Sequence, residues 1–265
     1  MTTSNPLFRP SPLTRRAMLK ASLAASLAAT AALAFSADAE AADDLLKKVD
    51  DATNKWKALD QHYNIVTQKK GSDPTKLVLR MRMKFDGTNN LQLTEISEPA
   101  DMKGTKVLVT SPSQMYIYLP AMKKIRRIAS HVTDQPFLGT ALSAEDMSIT
   151  RLVPYYSAKK GNDDGTHVML ILTAKSDAAP YPKMEMKVEK ARWLPLEIKK
   201  YNAAGKLIKT EKREEYSCSE GFCGPKKMTF VNHAIDMATV LVLTSSKVNP
   251  TIEDDLFSKR TLLRG

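Results

Sequence analysis

The feature that most restricts the fold of this sequence is a two-residue alternation of apolar and polar side chains, repeated along much of the chain. Between residues 77 and 85, Leu79, Met81, Met83 and Phe85 alternate with arginine and lysine. This period is typical of a strand with one buried face. Further strands are predicted at 91–95, 107–110, 115–119, 168–173, 183–189, 194–201, 206–216, 226–233 and 237–247. Turn signals such as Asp86-Gly87 separate them, which predicts an antiparallel meander.

One face of several predicted strands is rich in methionine. The chain has 13 Met but only 7 Phe and 2 Trp. Methionine is flexible and polarizable, so it suits an adaptable apolar surface. Ordinary core packing remains the simpler interpretation for any single methionine, but few helices are predicted to fill the concave side of a long sheet. We therefore expect an apolar cavity lined by Leu79, Met81, Met83, Phe85, Met184, Met186, Val188, Met228 and Phe230.

Helices are predicted at three places. Apolar residues at helical spacing from Asp43 to Leu59 predict an amphipathic helix with acidic residues in its first turn. Ser143 and Asp146 form a capping signal for a short helix running towards Leu152. Residues 249–257 are expected to form a loop or a single helical turn. The fold class is thus mainly β with a few helices, in one domain that spans residues 42–265.

The first 41 residues have the three-part layout of an export signal. Arg15-Arg16 precedes an apolar stretch at residues 21–35, and Ala39-Glu40-Ala41 provides a small-residue cleavage site. The apolar stretch is shorter than the roughly 20 residues that a membrane span needs. The paired arginines predict the twin-arginine (Tat) route, and the ordinary Sec route is the alternative. We expect cleavage between Ala41 and Ala42 and a mature protein in the periplasm.

The two cysteines, Cys218 and Cys223, lie close together near Gly221 and Gly224. A close pair in a turn of an exported protein predicts a disulfide. A redox couple is the alternative, but the spacing is not C-x-x-C.

Motifs for catalysis, metal binding or cofactor binding are absent from the sequence. The four histidines have no metal-ligand spacing, and no nucleotide-binding loop or nucleophile motif is found. We therefore predict no catalytic residues, no metal and no cofactor. The net charge is +11, but the lysines and arginines alternate with apolar residues, as on the solvated face of a sheet. Glu211 and its charged neighbours are interpreted in this way, and no nucleic-acid partner is predicted.

A string of motifs between residues 103 and 147 resembles a known family. It comprises Tyr116 to Ala121 (YIYLPA), Lys123 to Ile128 (KKIRRI), Phe137 to Thr140 (FLGT) and Ser143 to Met147 (SAEDM). It is similar to LolA-type outer-membrane lipoprotein-sorting proteins, in the branch associated with RND/MMPL-type transporters. A later segment, Val248 to Pro250 with Asp255 to Phe257, resembles the C-terminal signature of that branch.

The resemblance implies a curved antiparallel half-barrel with helices covering its concave apolar face and a cavity for acyl chains. It implies a monomeric periplasmic carrier or chaperone for a lipid or lipoprotein, acting towards the outer membrane and not an enzyme. The alternative is an accessory or sensor subunit of an RND-type transporter. Arg80 and Arg82 are the candidates for an arginine that locks the covering helices.

Four cations directly follow the strand that ends at Pro120, and we call them the basic rim: Lys123, Lys124, Arg126 and Arg127. They are expected either to form a solvated edge or to dock against phosphate head groups, a transporter or an outer-membrane acceptor.

Overall fold

The computed structural model describes residues 42–128 and 136–263. The predicted signal segment, residues 1–41, lies outside the described residues. Ala42, which follows the predicted cleavage site, begins the first helix. That helix, α1, spans residues 42–53. The strands are β1 (Ala58–Lys69), β2 (Thr75–Phe85), β3 (Asn90–Glu98), β4 (Lys106–Ser111), β5 (Gln114–Leu119), β6 (Lys124–Ile128), β7 (Tyr156–Asp163), β8 (His167–Ala174), β9 (Lys183–Glu189), β10 (Leu194–Tyr201), β11 (Leu207–Ser219), β12 (Phe222–Asn232) and β13 (Met237–Val248). Two further helices are α2 (Ala144–Ser148) and α3 (Lys259–Leu263).

The thirteen strands found among the described residues form one antiparallel sheet, which confirms the predicted fold class. The spatial order is β6-β5-β4-β3-β2-β1-β13-β12-β11-β10-β9-β8-β7. Two consecutive meanders, β1–β6 and β7–β13, therefore meet where β1 pairs with β13. Within the part of the chain that the structure describes, this sheet is not closed into a barrel. Since β1 pairs with β13, residues from the two ends of the domain lie side by side at the centre of the sheet.

The predicted first helix, Asp43 to Leu59, was too long. Helix α1 ends at residue 53, and β1 begins at Ala58. Leu59 happens to follow the helical spacing of α1, so the sequence pattern concealed the start of the strand. Strands β1, β6 and β7 were not predicted. In β1 the polar residues Gln61 and Thr67 lie on the buried face and Val66 is exposed, which hides the alternation. The rim cations of β6 and the small or charged residues of β7 have the same effect.

Helices α1 and α2 cover the concave face of the sheet. Leu46 and Val49 of α1 pack in a buried cluster with residues of β7–β10. Helix α2 begins with the predicted capping box, in which Ser143 and Asp146 satisfy each other's backbone N–H groups. The single helical turn expected within residues 249–257 is present as a 3-10 turn, Asp254–Phe257. Helix α3 follows it, was not predicted, and lies on the opposite, outer face of the sheet. There Phe257 and Leu262 pack against Leu93 and Leu108.

The predicted disulfide is present and closes the β11–β12 hairpin. Cys218 and Cys223 are directly opposite each other across the two strands. The turn between them contains Glu220 and Gly221, both with positive φ, as a type I′ turn requires. Pairing of β12 with β13 starts only at Lys227, so the tip of the hairpin separates from the sheet. Phe222 at this tip packs against Trp56.

Among the described residues, no helix has the length and apolar character needed to cross a membrane.

Candidate functional site

A cavity of about 270 Å³ opens on the concave face of the sheet. Helix α1 covers it with Val49 and Thr53, and the segment around α2 covers it with Leu142 and Met147. The disulfide-closed hairpin contributes Phe222 at one side. The volume is close to the lower end of the roughly 300–1,000 Å³ range of small-molecule sites. The described conformation therefore has room for one small ligand or part of one acyl chain.

Six of the nine predicted lining residues line this cavity. They come from three separate strands, β2, β9 and β12: Met81, Met83, Met184, Met186, Met228 and Phe230. Each of these apolar side chains lies on the concave face of its strand, so the walls of the cavity are apolar there. We call these six residues the methionine walls.

The other three predicted lining residues lie in packed regions beside the cavity. Leu79 packs in a cluster with Tyr63 and Ile65. Val188 is fully buried beneath α1. Phe85 packs near Trp56, and the Arg151 guanidinium lies 4.5 Å from its ring centroid. Alternation predicts the face of a strand, but the position of the covering helices decides which residues on that face line a void.

A band of buried charged side chains crosses the sheet between the methionine walls. Lys200 lies on β10, and Lys209, Glu211 and Arg213 lie on β11. Lys200 is the cross-strand neighbour of Met184, and Arg213 is the cross-strand neighbour of Met228. We call these four residues together with Asp146 the charged band.

The prediction of a solvated face was wrong for Glu211, whereas Glu214 and Glu215 on the same strand are exposed. Glu211, Lys200 and Lys209 are each less than a tenth exposed. One signal for this was present in the sequence. After Ile208, strand β11 continues Lys-Thr-Glu-Lys-Arg-Glu-Glu, so it has charged residues in both phases. Because β11 is an inner strand of a sheet that α1 and α2 cover, one of these phases had to be buried.

Asp146 connects α2 to the charged band. Its Oδ1 accepts hydrogen bonds from Lys200 Nζ at 2.7 Å and from the Tyr181 hydroxyl at 2.7 Å. Its Oδ2 accepts from Lys209 Nζ at 2.6 Å and from the Ser143 backbone N–H at 2.8 Å. Charge-assisted bonds of this kind are the strong ones in proteins. The short helix α2 is therefore fixed to β10 and β11 through one carboxylate.

Electrostatic pairing favours the ionised forms of Asp146, Glu211 and Lys200. Burial alone would raise the pKa of Asp146, but Lys200 and Lys209 hold it well below its ordinary value. Burial likewise acts to raise the pKa of Glu211, and Arg213 and Lys200 more than offset this effect. The pKa of Lys200 is raised, because Asp146 and Glu211 outweigh the effect of desolvation.

Arg80 and Arg82, the candidate locking residues, lie on the outer face of β2. Arg80 forms a two-bond ion pair with Asp60 at 2.8 and 2.6 Å, and Arg82 pairs with Glu95. Their phase on the strand is opposite to that of Met81 and Met83. The connection to the covering helix is made instead by Lys200 and Lys209, on strands that the resemblance did not indicate.

The basic rim lies on and just before strand β6. Among the described strands β6 is the last on its side of the sheet, and all four rim cations are exposed. Arg127 donates a hydrogen bond to the Ser113 carbonyl at 3.0 Å, and Arg126 contacts the Met122 sulfur at 3.6 Å. The rim is thus solvent-accessible, and its role in docking stays a prediction.

Within residues 42–128 and 136–263, no group of three or more His, Cys, Asp or Glu side chains is arranged to hold a metal ion.

Comparison with solved structures shows that the fold is that of LolA-type proteins. An outer membrane lipoprotein-sorting protein domain from Vibrio parahaemolyticus has a TM-score of 0.78 at 22% identity, covering 85% of this chain and 100% of that chain. A DUF1329 family protein from Desulfovibrio piger has a TM-score of 0.78 at 22% identity, covering 85% and 99%. The LolA superfamily protein NE2245 from Nitrosomonas europaea has a TM-score of 0.69 at 18% identity, covering 83% and 98%.

Family membership follows from the sequence itself. A family model described as "uncharacterized protein" matches residues 88–264, more than half of the 265-residue chain. The chain therefore belongs to that family. No curated protein matches it significantly.

Proposed function

We propose that this protein is an exported, non-enzymatic carrier or chaperone that binds an acyl chain of a lipid or lipoprotein in the concave cavity. The observation that carries this proposal is the void of about 270 Å³ between the methionine walls, covered by α1 and α2 but not filled by them. Burying an acyl chain there contributes about 0.8 kcal/mol per CH₂ group. The LolA-type fold supports the same conclusion. Transfer towards the outer membrane completes the proposed role.

We propose a periplasmic location for the mature chain, beginning near Ala42. The disulfide between Cys218 and Cys223 supports export, because such bonds persist in oxidising compartments. The twin arginine followed by an apolar segment and an A-x-A site supports removal of residues 1–41 during export.

The cavity can be tested by filling it from one wall. Met81 is half-buried and lines the cavity, so Met81→Trp places a larger side chain in the void. Met122→Trp is the matched control, because Met122 is 53% exposed on the surface. Binding of a fluorescent fatty-acyl probe and thermal stability are measured for both variants. We expect Met81→Trp to fold and to lose probe binding, while Met122→Trp binds like the parent.

A parent protein that binds no acyl probe would refute the carrier function. Equal binding by the parent and a folded Met81→Trp variant would place the acyl site elsewhere and remove the cavity as its basis.

The alternative function is that of an accessory or sensor subunit of an RND/MMPL-type transporter. The observation that favours it is the exposed basic rim at β6, which is the last of the described strands on its side of the sheet. Two results together would support this alternative over the carrier. The mature protein would capture such a transporter without any bound lipid, and the capture would be lost when the rim cations are changed to glutamine.

A further inference from the structure

The charged band contains more positive than negative charge. Its ion pairs connect three cations, Lys200, Lys209 and Arg213, with two carboxylates, Asp146 and Glu211. All of these except Arg213 are less than a tenth exposed at the side chain. A buried charge without a matching counter-charge is costly, so a band with an excess cation favours an anion beside it.

Arg213 is the member of the band that is open to the cavity. Its side chain is 26% exposed and lines the void. Its Nε donates to Glu211 Oε1 at 2.7 Å, and the Tyr216 hydroxyl is a second polar neighbour. A guanidinium carries five N–H donors in a planar fork that matches a carboxylate or phosphate. Glu211 and Tyr216 are the side-chain hydrogen-bond partners that the described residues show for this guanidinium. Because the side chain is partly exposed and lines the cavity, its remaining N–H donors can face a ligand there.

The surroundings of Arg213 suit the end of an apolar chain. Met228 is its direct cross-strand neighbour, and Met81 and Met83 line the same cavity. Asp50 also lines the cavity, but the backbone N–H groups of Leu152 and Val153 donate to its carboxylate at 2.7–2.9 Å. That carboxylate is bound to the segment covering the cavity, whereas Arg213 projects from the sheet beneath it.

We propose that Arg213 is a head-group site, where the guanidinium binds the carboxylate or phosphate of an anionic amphiphile whose tail lies on the methionine walls. The proposal rests on the carrier function and narrows its ligand to amphiphiles with a negatively charged head.

The test uses Trp56, which lines the cavity, as a fluorescent reporter. Trp193→Phe removes the other of the two tryptophans and serves as the background for all variants. The ligands share one tail and differ in the head: dodecanoate, dodecyl phosphate, dodecanol and dodecyltrimethylammonium. We expect dodecanoate or dodecyl phosphate to bind about ten- to a hundredfold more tightly than dodecanol, as a charge-assisted pair predicts. The tighter of the two anions identifies the head group.

Arg213→Gln should remove this preference, so that dodecanoate, dodecyl phosphate and dodecanol bind with similar affinities. Lys212→Gln is the matched control, because Lys212 is exposed on the same strand in the opposite phase. Arg213→Lys keeps a cation beside Glu211 but lacks the planar fork, so it should reduce the preference several-fold. The Lys variant provides the test if Arg213→Gln does not fold.

The outcomes separate the inference from the function on which it rests. Equal affinity for dodecanoate, dodecyl phosphate and dodecanol, or a preference that folded Arg213 variants retain, would overturn the head-group site and leave the carrier intact. Binding of inorganic phosphate alone as tightly as dodecyl phosphate would also overturn it. No binding of any of the ligands would refute the carrier function itself.

Discussion

Replacing Asp146 with asparagine tests whether one carboxylate fixes helix α2 to the sheet. Asparagine has nearly the same shape but no charge, and its amide nitrogen cannot accept from Lys200 or Lys209. Glu211 would still lie 3.1 Å from Lys200 Nζ. Of the hydrogen-bond partners that the described residues show for Lys209 Nζ, the neutral hydroxyls of Ser143 and Tyr181 would remain, both at 2.9 Å.

The expected loss of stability is large for a single substitution. Removing one member of a buried ion pair costs about 3–5 kcal/mol, because the remaining charge is left without compensation. For a domain of this size, about 1 kcal/mol changes Tm by roughly 2–4 °C, so the predicted decrease is roughly 6–20 °C. Adding Lys209→Met removes the stranded cation, and the double variant should recover part of the loss.

Urea and thermal unfolding followed by circular dichroism measure the stability, and hydrogen exchange measures the protection of α2. Asp51→Asn is the control, because Asp51 is 57% exposed and pairs only with Lys47 on the surface of α1 among its described contacts. It should leave Tm nearly unchanged. An Asp146→Asn variant as stable as the parent, with unchanged exchange in α2, would refute the role of this carboxylate.

Three further predictions address other parts of the molecule. The pKa of Asp146 lies below its ordinary value of 3.8, so the stability that its carboxylate provides is present above pH 3.8 and is lost as the pH falls below it. Acid should therefore lower the free energy of unfolding of the parent more steeply than that of Asp146→Asn. Parallel curves of stability against pH for the two proteins would contradict this. Cys218→Ser should lower the free energy of unfolding by about 2 kcal/mol in the loop-entropy model. Thiol labelling of the denatured parent protein from the periplasm should find almost no free cysteine, and full labelling of both cysteines would exclude the disulfide there. Changing all four rim cations to glutamine should leave Tm nearly unchanged but weaken binding to anionic vesicles at low salt. If this variant unfolds, the rim cations stabilise the fold and the docking hypothesis fails.

The sequence predicted most strands because turns and alternation are local properties. Strands β9 (Lys183–Glu189) and β10 (Leu194–Tyr201) were predicted with the bounds that the structure shows. The pairing of β1 with β13 was not predicted, because it joins residues far apart in the chain. The end of α1 was missed because Leu59 fits both the helical spacing of α1 and the two-residue alternation of β1.

The charged band could not be recognised from local patterns. Lys200, Lys209 and Glu211 are buried because helix α2, which carries Asp146 and is far from them in the sequence, lies over the same part of the sheet. A charged residue on a strand is usually solvated, and the exception depends on a tertiary contact. By contrast, the methionines at positions 81, 83, 184, 186 and 228 were assigned to the cavity because strand phase alone places them on the concave face.

Native mass spectrometry of the mature protein, purified from the periplasm without detergent, tests the central claim most directly. A carrier should retain a bound acyl-containing molecule, seen as added mass that is released on unfolding, and Met81→Trp should lack it while Met122→Trp keeps it. A parent protein that carries no such mass, and takes up none when incubated with phospholipid vesicles, would contradict the proposal that the cavity holds an acyl chain.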